Sequence, residues 1–165
     1  LQWYRLLVEK LQIVVQIGIG LKFRLIRIPM EGVQESVRKK VCIVDDDQDI
    51  LGMYKLRFEQ EGYEVVTAMD GEAGLALIRT ADPDIVLLDL QMPKVDGMGV
   101  LDTLNQDPKL KVIPVIVLSN NNTDQMFEKI SELGTVRYYI VKALTTPQKV
   151  IDIVAGVFSG ESTVE

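Results

Sequence analysis

The sequence contains no histidine and only one cysteine, and these two shortages exclude several kinds of chemistry. Without histidine the chain has no Ser-His-Asp or Cys-His catalytic group, no histidine-ligated zinc site and no histidine able to carry a phosphoryl group. The single cysteine, Cys42, cannot form a disulfide within the chain, which fits a reducing compartment. Because Cys42 lies in an apolar run, we interpret it as a small buried hydrophobic residue.

Basic residues are outnumbered by acidic ones, 18 to 24, and long hydrophobic runs are scarce. The net charge is −6, which argues against binding nucleic acid through a basic surface. The longest nearly apolar run, residues 11–21, is interrupted by Gln12 and Gln16 and is too short to span a membrane. No small-residue cleavage site follows it, as a secretory signal would require. We therefore expect a cytoplasmic protein without a membrane span.

The first 29 residues differ in charge from the rest of the chain. They contain five Lys or Arg residues and one Glu, so they carry +4, whereas the remainder carries −10. Met30 precedes a polar segment, and we interpret it as the natural start, with residues 1–29 as an upstream extension. Residues 30–38 are then a lead-in, and residues 159–165 are a polar tail. The cations of the extension also fit an amphipathic helix on a membrane surface.

Between residues 39 and 158, five short apolar segments alternate with five segments of helical periodicity. Short apolar runs bounded by turn residues are typical of buried strands. The predicted strands are residues 41–44, 64–68, 85–88, 115–118 and 138–141. The predicted helices are residues 50–62, 70–82, 97–105, 122–133 and 146–158. This alternation predicts an α/β fold, a doubly wound parallel sheet with helices on both faces and right-handed crossovers.

Four of the five predicted strands are followed directly by a polar residue. The first is followed by Asp45 and Asp46, the third by Asp89, the fourth by Ser119 and the fifth by Lys142. The carboxyl ends of parallel strands lie at one edge of a sheet, where open α/β sheets place their binding crevice. These five side chains are therefore expected to meet there.

Clustered carboxylates need compensation for their charge, and a hard divalent cation such as Mg²⁺ or Mn²⁺ provides it. A phosphoryl group in the same crevice requires that metal together with a cation such as Lys142. Ser119 is placed to donate a hydrogen bond to a phosphoryl oxygen. Asp89 is then the candidate nucleophile, which would form an acyl phosphate.

Each of these residues also has a simpler interpretation. The run Asp45–Asp47 suits a loop that caps the first helix, and Asp89 alone suits a turn or a helix cap. A single Ser119 is ordinarily a turn residue, and a single Lys142 is ordinarily a solvated surface cation. Their joint occurrence, each directly after a strand, favours the shared site.

Residues 39–158 resemble the receiver domain of two-component response regulators. The segment Val44-Asp45-Asp46-Asp47 is similar to the acidic pair that follows the family's first strand. Residues 89–97, with the sequence DLQMPKVDG, closely resemble the phosphoacceptor motif. Ser119 matches the switch hydroxyl after the fourth strand. Tyr139 and Lys142 match the family's aromatic switch position and its lysine.

The resemblance implies a five-stranded sheet of order 2-1-3-4-5, the flavodoxin-like receiver fold. It also implies that Asp89 takes a phosphoryl group from the histidine of a partner kinase or histidine phosphotransfer protein. Asp46, Asp89 and the backbone carbonyl of Gln91 would hold Mg²⁺, with Asp45 in support, and Lys142 would pair with the phosphate.

The resemblance further implies a switch in which Ser119 moves toward the phosphate and Tyr139 turns inward behind it. This motion would reshape the surface of the fourth helix, fifth strand and fifth helix, which protein partners read. Gln91 and Asn121 would flank the path of an attacking water, so we expect them to tune the lifetime of the phosphate. With no output domain after the last helix, we expect a stand-alone receiver that is not an enzyme.

The sequence departs from the family pattern at two positions. Asn120 replaces the small residue that usually follows the switch hydroxyl. Ala143 replaces the proline that usually follows the lysine and accompanies a cis bond, so a trans bond there could shift the reach of Lys142. These departures leave open a degenerate receiver that docks without phosphorylation. An aspartyl phosphatase of the haloacid dehalogenase type is less well supported, because it requires a second Asp where Gln91 stands.

Overall fold

The computed structural model describes residues 38–120, 124–131 and 133–160, together with the backbone of three strands nearer the start of the chain. The chain divides into two compact units, residues 1–37 and residues 38–165. The first contains an antiparallel sheet with the order β1-β2-β3. Its strands are β1 (Tyr4–Val8), β2 (Leu11–Gln16) and β3 (Arg24–Arg27). The amphipathic helix considered as an alternative is thus not what these segments form.

The second unit contains a five-stranded, entirely parallel sheet. Its strands are β4 (Lys40–Val44), β5 (Glu64–Ala68), β6 (Ile85–Asp89), β7 (Val115–Ser119) and β8 (Val136–Val141). They lie side by side in the order β5-β4-β6-β7-β8. Counted within this sheet alone, the order is 2-1-3-4-5, so the predicted fold is confirmed.

Five α-helices connect or follow these strands. They are α1 (Gln48–Gln60), α2 (Gly71–Ala81), α3 (Gly97–Gln106), α4 (Asp124–Ser131) and α5 (Pro147–Ser159). A short 3-10 helix, Lys142–Leu144, lies between β8 and α5. The predicted fourth helix began at residue 122 and ended at residue 133; residues 121–123 and 132 lie outside the described part of the chain. None of the described helices has both the length and the apolar character needed to cross a bilayer.

Side-chain oxygens cap the N-termini of four of the described helices. Asp47, Asp70, Asp96 and Thr146 are the N-cap residues of α1, α2, α3 and α5, and each accepts a hydrogen bond from a backbone N–H of the first turn. Such caps satisfy donors that the helix itself leaves unpaired. The helix-capping role considered for the Asp45–Asp47 run thus belongs to Asp47, which leaves Asp45 and Asp46 for the sheet edge.

Hydrophobic side chains cover both faces of the sheet. Leu88 belongs to the core on the side of α2, α3 and α4, and Leu87 belongs to the core on the side of α1 and α5. All five residues of β6 and of β7 are buried, as expected for the central strands of a doubly wound sheet. Cys42 is fully buried. Burial raises the pKa of its thiol to about 12, so the residue is a core thiol.

Candidate functional site

The carboxyl ends of β4 and β6 bring three carboxylates together at one edge of the sheet. Asp45, Asp46 and Asp89 each offer one oxygen, and these oxygens all lie within 4.8 Å of one another. Asp45 and Asp89 are buried, with 1% and 6% of their surface exposed, whereas Asp46 is exposed. Two of the carboxylates therefore face the interior, and the third faces solvent at the rim.

Lys142 supplies a cation to the two buried carboxylates. Its Nζ lies 2.6 Å from Oδ2 of Asp45 and 2.9 Å from Oδ2 of Asp89. Its side chain is 10% exposed, so both ion pairs are largely shielded from water. All peptide bonds of the described residues are trans, the bond before Ala143 included. Lys142 thus reaches the carboxylates without the cis bond that usually accompanies the family's proline.

The pKa values of Lys142 and Asp45 reflect both burial and the contact between the two side chains. Burial alone lowers the pKa of Lys142, but the hydrogen bonds to Asp45 and Asp89 outweigh it and raise the pKa above its ordinary value. Burial raises the pKa of the Asp45 carboxyl, and the hydrogen bond from Lys142 offsets this only in part. Three carboxylates beside one ammonium leave an excess of negative charge. This is an environment in which a divalent cation is favoured.

Backbone N–H groups hold the second oxygen of each buried carboxylate. The N–H of Asp47 donates to Oδ1 of Asp45 at 3.1 Å, and the N–H of Gln91 donates to Oδ1 of Asp89 at 3.2 Å. Each carboxylate is thus fixed at one oxygen by the backbone and at the other by Lys142. The side chains are held in position before any ligand arrives, which is how reactive groups are usually preorganised.

Gly97 allows the loop after Asp89 to fold back onto the end of β6. A Cβ at this position would lie 2.2 Å from the backbone oxygen of Asp89 and 2.6 Å from Cα of Leu90. The N–H of Gly97 also donates to the Leu90 carbonyl at 3.0 Å. Only glycine fits this close approach. The Gly97 position therefore fixes the backbone that presents Asp89.

Ser119 lies at the same edge, on the neighbouring strand. Asp89 pairs with Leu118 across the β6–β7 ladder, so Ser119 is one position beyond the residue opposite Asp89. The Ser119 side chain is fully buried. Asn120 follows it and is exposed, and Asn121 lies outside the described residues. The structure thus brings Ser119 to the predicted edge and leaves Asn121 untested.

A β-bulge determines which of two adjacent tyrosines lies on the Ser119 side of the sheet. Val115 pairs with Val136 but Ile116 pairs with Tyr138, so Arg137 is an extra residue in β8. The extra residue shifts the alternation of side chains that follow it. Tyr138 then packs with the core next to α1 and α5, and Tyr139 packs with the core next to α2, α3 and α4. Tyr139, which matches the aromatic switch position in the sequence, is the tyrosine on the latter side.

A further ion pair beside the site has no counterpart in the sequence analysis. Nζ of Lys94 lies 2.6 Å from Oδ2 of Asp70, and this contact links the loop after β6 to the start of α2. Lys94 has a backbone φ of 65°, in the left-handed region. Neither a motif nor a spacing indicates this pair, because it depends on the paths of two loops that are distant in sequence. It anchors the loop that contains Gln91.

Residues 41–155 match the family model described as the response regulator receiver domain. The chain belongs to this family. The resemblance noted in the sequence is thereby confirmed. Response regulator receiver domains are signalling domains of two-component systems, and the relatives that the chain matches are regulators.

Among curated relatives, the chain is 36% identical over 104 residues to the alkaline phosphatase synthesis transcriptional regulatory protein PhoP of Bacillus subtilis. That match covers 62% of this chain and 42% of the relative, so the chain spans about two fifths of the relative's length. Among solved structures, a Francisella response regulator receiver domain is 28% identical, with a TM-score of 0.66. It covers 74% of this chain and 98% of the other. The chemotaxis protein CheY4 of Vibrio cholerae is 26% identical, with a TM-score of 0.66 and coverage of 73% and 98%.

Proposed function

We propose that Asp89 is the phosphoacceptor of this receiver domain. The observation that carries the proposal is the pair of contacts from Nζ of Lys142 to Asp89 and Asp45 at the edge of the sheet. These contacts hold a carboxylate and a cation together where a phosphoryl group would arrive. The proposed donor is a phosphohistidine of a partner kinase or histidine phosphotransfer protein, and the absence of histidine from the sequence agrees with a donor outside it.

In the proposed transfer, a carboxylate oxygen of Asp89 attacks the phosphorus of the donor's phosphohistidine. The O–P bond forms as the P–N bond breaks, and the imidazole leaves with the electron pair and takes up a proton. The ammonium of Lys142 pairs with an oxygen of the phosphoryl group as it is transferred. Receiver domains of this kind catalyse their own phosphorylation and a slow dephosphorylation, and they do not turn over a separate substrate.

The donor set of the site fits Mg²⁺ or Mn²⁺. Both ions prefer hard oxygen ligands, and three carboxylate oxygens lie within 4.8 Å of one another. Asp46 and Asp89 with the backbone carbonyl of Gln91 would hold the ion, and Asp45 would support them. Such an ion offsets the charge of the carboxylates and of the transferred phosphoryl oxygens. Asp46 is exposed at the rim and would be open to an ion from solvent.

The proposed switch runs through Ser119 and Tyr139. The hydroxyl of Ser119 donates to a phosphoryl oxygen, and Tyr139 moves into the space behind it. Their location on adjacent strands and toward the same core supports this coupling. This movement changes the surface formed by α4, β8 and α5, and a protein partner recognises the changed surface. Gln91 and Asn121 tune the lifetime of the acyl phosphate.

We propose residues 39–158 as the receiver domain, residues 30–38 as a lead-in and residues 159–165 as a polar tail, with residues 1–29 as an extension outside the domain. The acidic net charge of −6 favours protein partners over nucleic acid, and we propose that the domain acts in the cytoplasm.

Acetyl phosphate in the presence of Mg²⁺ tests the proposal directly, with the mass of the intact protein as the readout. We expect a gain of one phosphoryl group that is lost on treatment with hydroxylamine. Asp89→Asn should abolish the gain, whereas Asp102→Asn, an exposed carboxylate on α3, should retain it. No gain in the unsubstituted protein would favour the degenerate docking module. Continuous turnover of a phosphomonoester would favour a phosphatase.

A further inference from the structure

A cavity lies at the opposite end of the sheet from the carboxylate cluster, where β7 and β8 begin. Its volume is about 370 Å³, within the range of ligand pockets in proteins. It is bounded by the end of α3, the segment before β7 and the turn before β8. The lining residues are Asn105, Lys111, Val112, Ile113, Pro114, Gly134, Thr135 and Arg137.

The charge of this cavity is opposite to that of the protein as a whole. Lys111 and Arg137 contribute two cations, and no carboxylate lines it among the residues that the structure describes. The whole chain, in contrast, carries −6. An amide, Asn105, and the apolar Val112 and Ile113 complete a wall that combines charge with hydrophobic surface. Such a wall suits a small molecule that has an anionic end and an apolar body.

Two independent features, one of the backbone and one of the core, support a binding role for this cavity. Arg137 is the extra residue of the bulge in β8, and bulges commonly redirect a side chain toward a functional site. Thr135 is 2% exposed, and its hydroxyl is a buried side-chain polar atom without a hydrogen-bond partner. Buried polar groups are normally paired, so an unpaired hydroxyl in the wall of a cavity is available to bind a ligand group.

We propose that this cavity is a second binding site, for a small organic anion with a terminal phosphate or carboxylate. Arg137 and Lys111 pair with the anionic group, Thr135 contributes its hydroxyl, and Val112 and Ile113 contact the apolar part. The site is separate from Asp89, because it lies at the amino ends of β7 and β8 and the carboxylates lie at the carboxyl edge of the sheet. It does not depend on phosphorylation of Asp89.

Chemical shifts of the backbone amides test this proposal on the whole chain, in EDTA so that the carboxylate cluster binds no metal. The probes are phenyl phosphate and benzoate, with benzyl alcohol as the neutral control. We expect saturable shifts in Lys111, Val112, Gly134 and Thr135 with the two anions, and none with the alcohol. The relative affinities of the two anions distinguish a phosphate ligand from a carboxylate ligand.

Variants of the lining residues make the test specific. The double variant Lys111→Gln and Arg137→Gln should weaken binding by roughly tenfold or more, since it removes charge-assisted contacts. Lys55→Gln, which removes one exposed cation on α1, should bind as the unsubstituted protein does. The proposal would be overturned by shifts confined to residues 45–46 and 89–91, or by no shifts at millimolar anion. It would also be overturned by shifts that are the same with and without Arg137.

Thr135→Val tests the role of the hydroxyl, since it keeps the shape of the side chain and removes the oxygen. We expect the variant to fold normally and to bind the anions several-fold more weakly, because one ligand contact is lost. Unchanged affinity would show that the hydroxyl has no part in the site.

Discussion

Replacing Lys142 with Met tests the electrostatic core of the candidate site. The substitution removes two charge-assisted hydrogen bonds, at 2.6 Å and 2.9 Å, to Asp45 and Asp89. Such bonds contribute about 1.5–3 kcal/mol each. We expect the free energy of unfolding to fall by about 3–6 kcal/mol, near the roughly 3–5 kcal/mol typical of a broken buried ion pair.

Urea unfolding followed by circular dichroism, with and without Mg²⁺, measures this loss. In the Lys142→Met variant the metal no longer competes with an ammonium for the carboxylates. Mg²⁺ should therefore stabilise the variant more than the unsubstituted protein. At one hundred times its dissociation constant, a ligand adds about 2.7 kcal/mol. Lys55→Met, which changes an exposed lysine on α1, is the matched control and should alter neither quantity.

A Lys142→Met variant that unfolds at the same urea concentration as the unsubstituted protein would refute this reasoning. So would a variant that is destabilised but responds to Mg²⁺ no more strongly than the unsubstituted protein. The first result would mean that Lys142 adds no net stability, and the second that it does not share the carboxylates with a metal.

Three further changes test other parts of the account. Gly97→Ala should destabilise the protein by about 2–3 kcal/mol, because its Cβ would lie 2.2 Å from the Asp89 carbonyl oxygen. Asp46→Ala should weaken Mg²⁺ binding tenfold or more in calorimetric titration, while changing stability by less than about 0.5 kcal/mol since the residue is exposed. Asp70→Asn should destabilise the protein at neutral pH, because hydrogen bonds from the Ala73 N–H and from its lysine partner hold the Asp70 pKa below its ordinary value. That stabilisation is present above the ordinary pKa and is lost as the pH falls below about 4, so the Asn variant and the unsubstituted protein should converge in acid.

Each of these changes has its own control. Gly52→Ala places a Cβ in open space on α1 and should stabilise the helix slightly, so equal effects at Gly52 and Gly97 would contradict the packing argument. Asp102→Ala removes an exposed carboxylate from α3, and an equal loss of Mg²⁺ binding there would show that the effect of Asp46 is only one of net charge. A constant difference between the Asp70 variant and the unsubstituted protein at all pH values would exclude the ionised carboxylate as its source.

The strand ends could be predicted because buried strands are recognisable in the sequence as short apolar runs. The apolar runs before Asp45, Asp89 and Ser119 are uninterrupted, so the position of each polar residue relative to the sheet follows from the chain alone. The parallel arrangement then places them at one edge. For the same reason the N-caps at Asp70 and Thr146 were visible, since a capping residue directly precedes a helical pattern.

Other features depend on how distant segments approach one another. No pattern in the mostly apolar strand reveals the bulge at Arg137, yet the bulge determines the side of the sheet on which Tyr139 packs. The contact between Lys94 and Asp70 requires two loops to meet. Local pattern carries no information on either, because both are set by tertiary packing.

Chemical identification of the phosphorylated side chain tests most directly whether Asp89 is the phosphoacceptor. The protein is incubated with phosphoramidate, a donor with a P–N bond, and Mg²⁺, then reduced with borohydride, which converts an acyl phosphate of aspartate to homoserine. Peptide mass mapping locates the product. We expect homoserine at position 89 and at neither Asp45 nor Asp46. Homoserine at one of those two residues, or at none of the three, would contradict it.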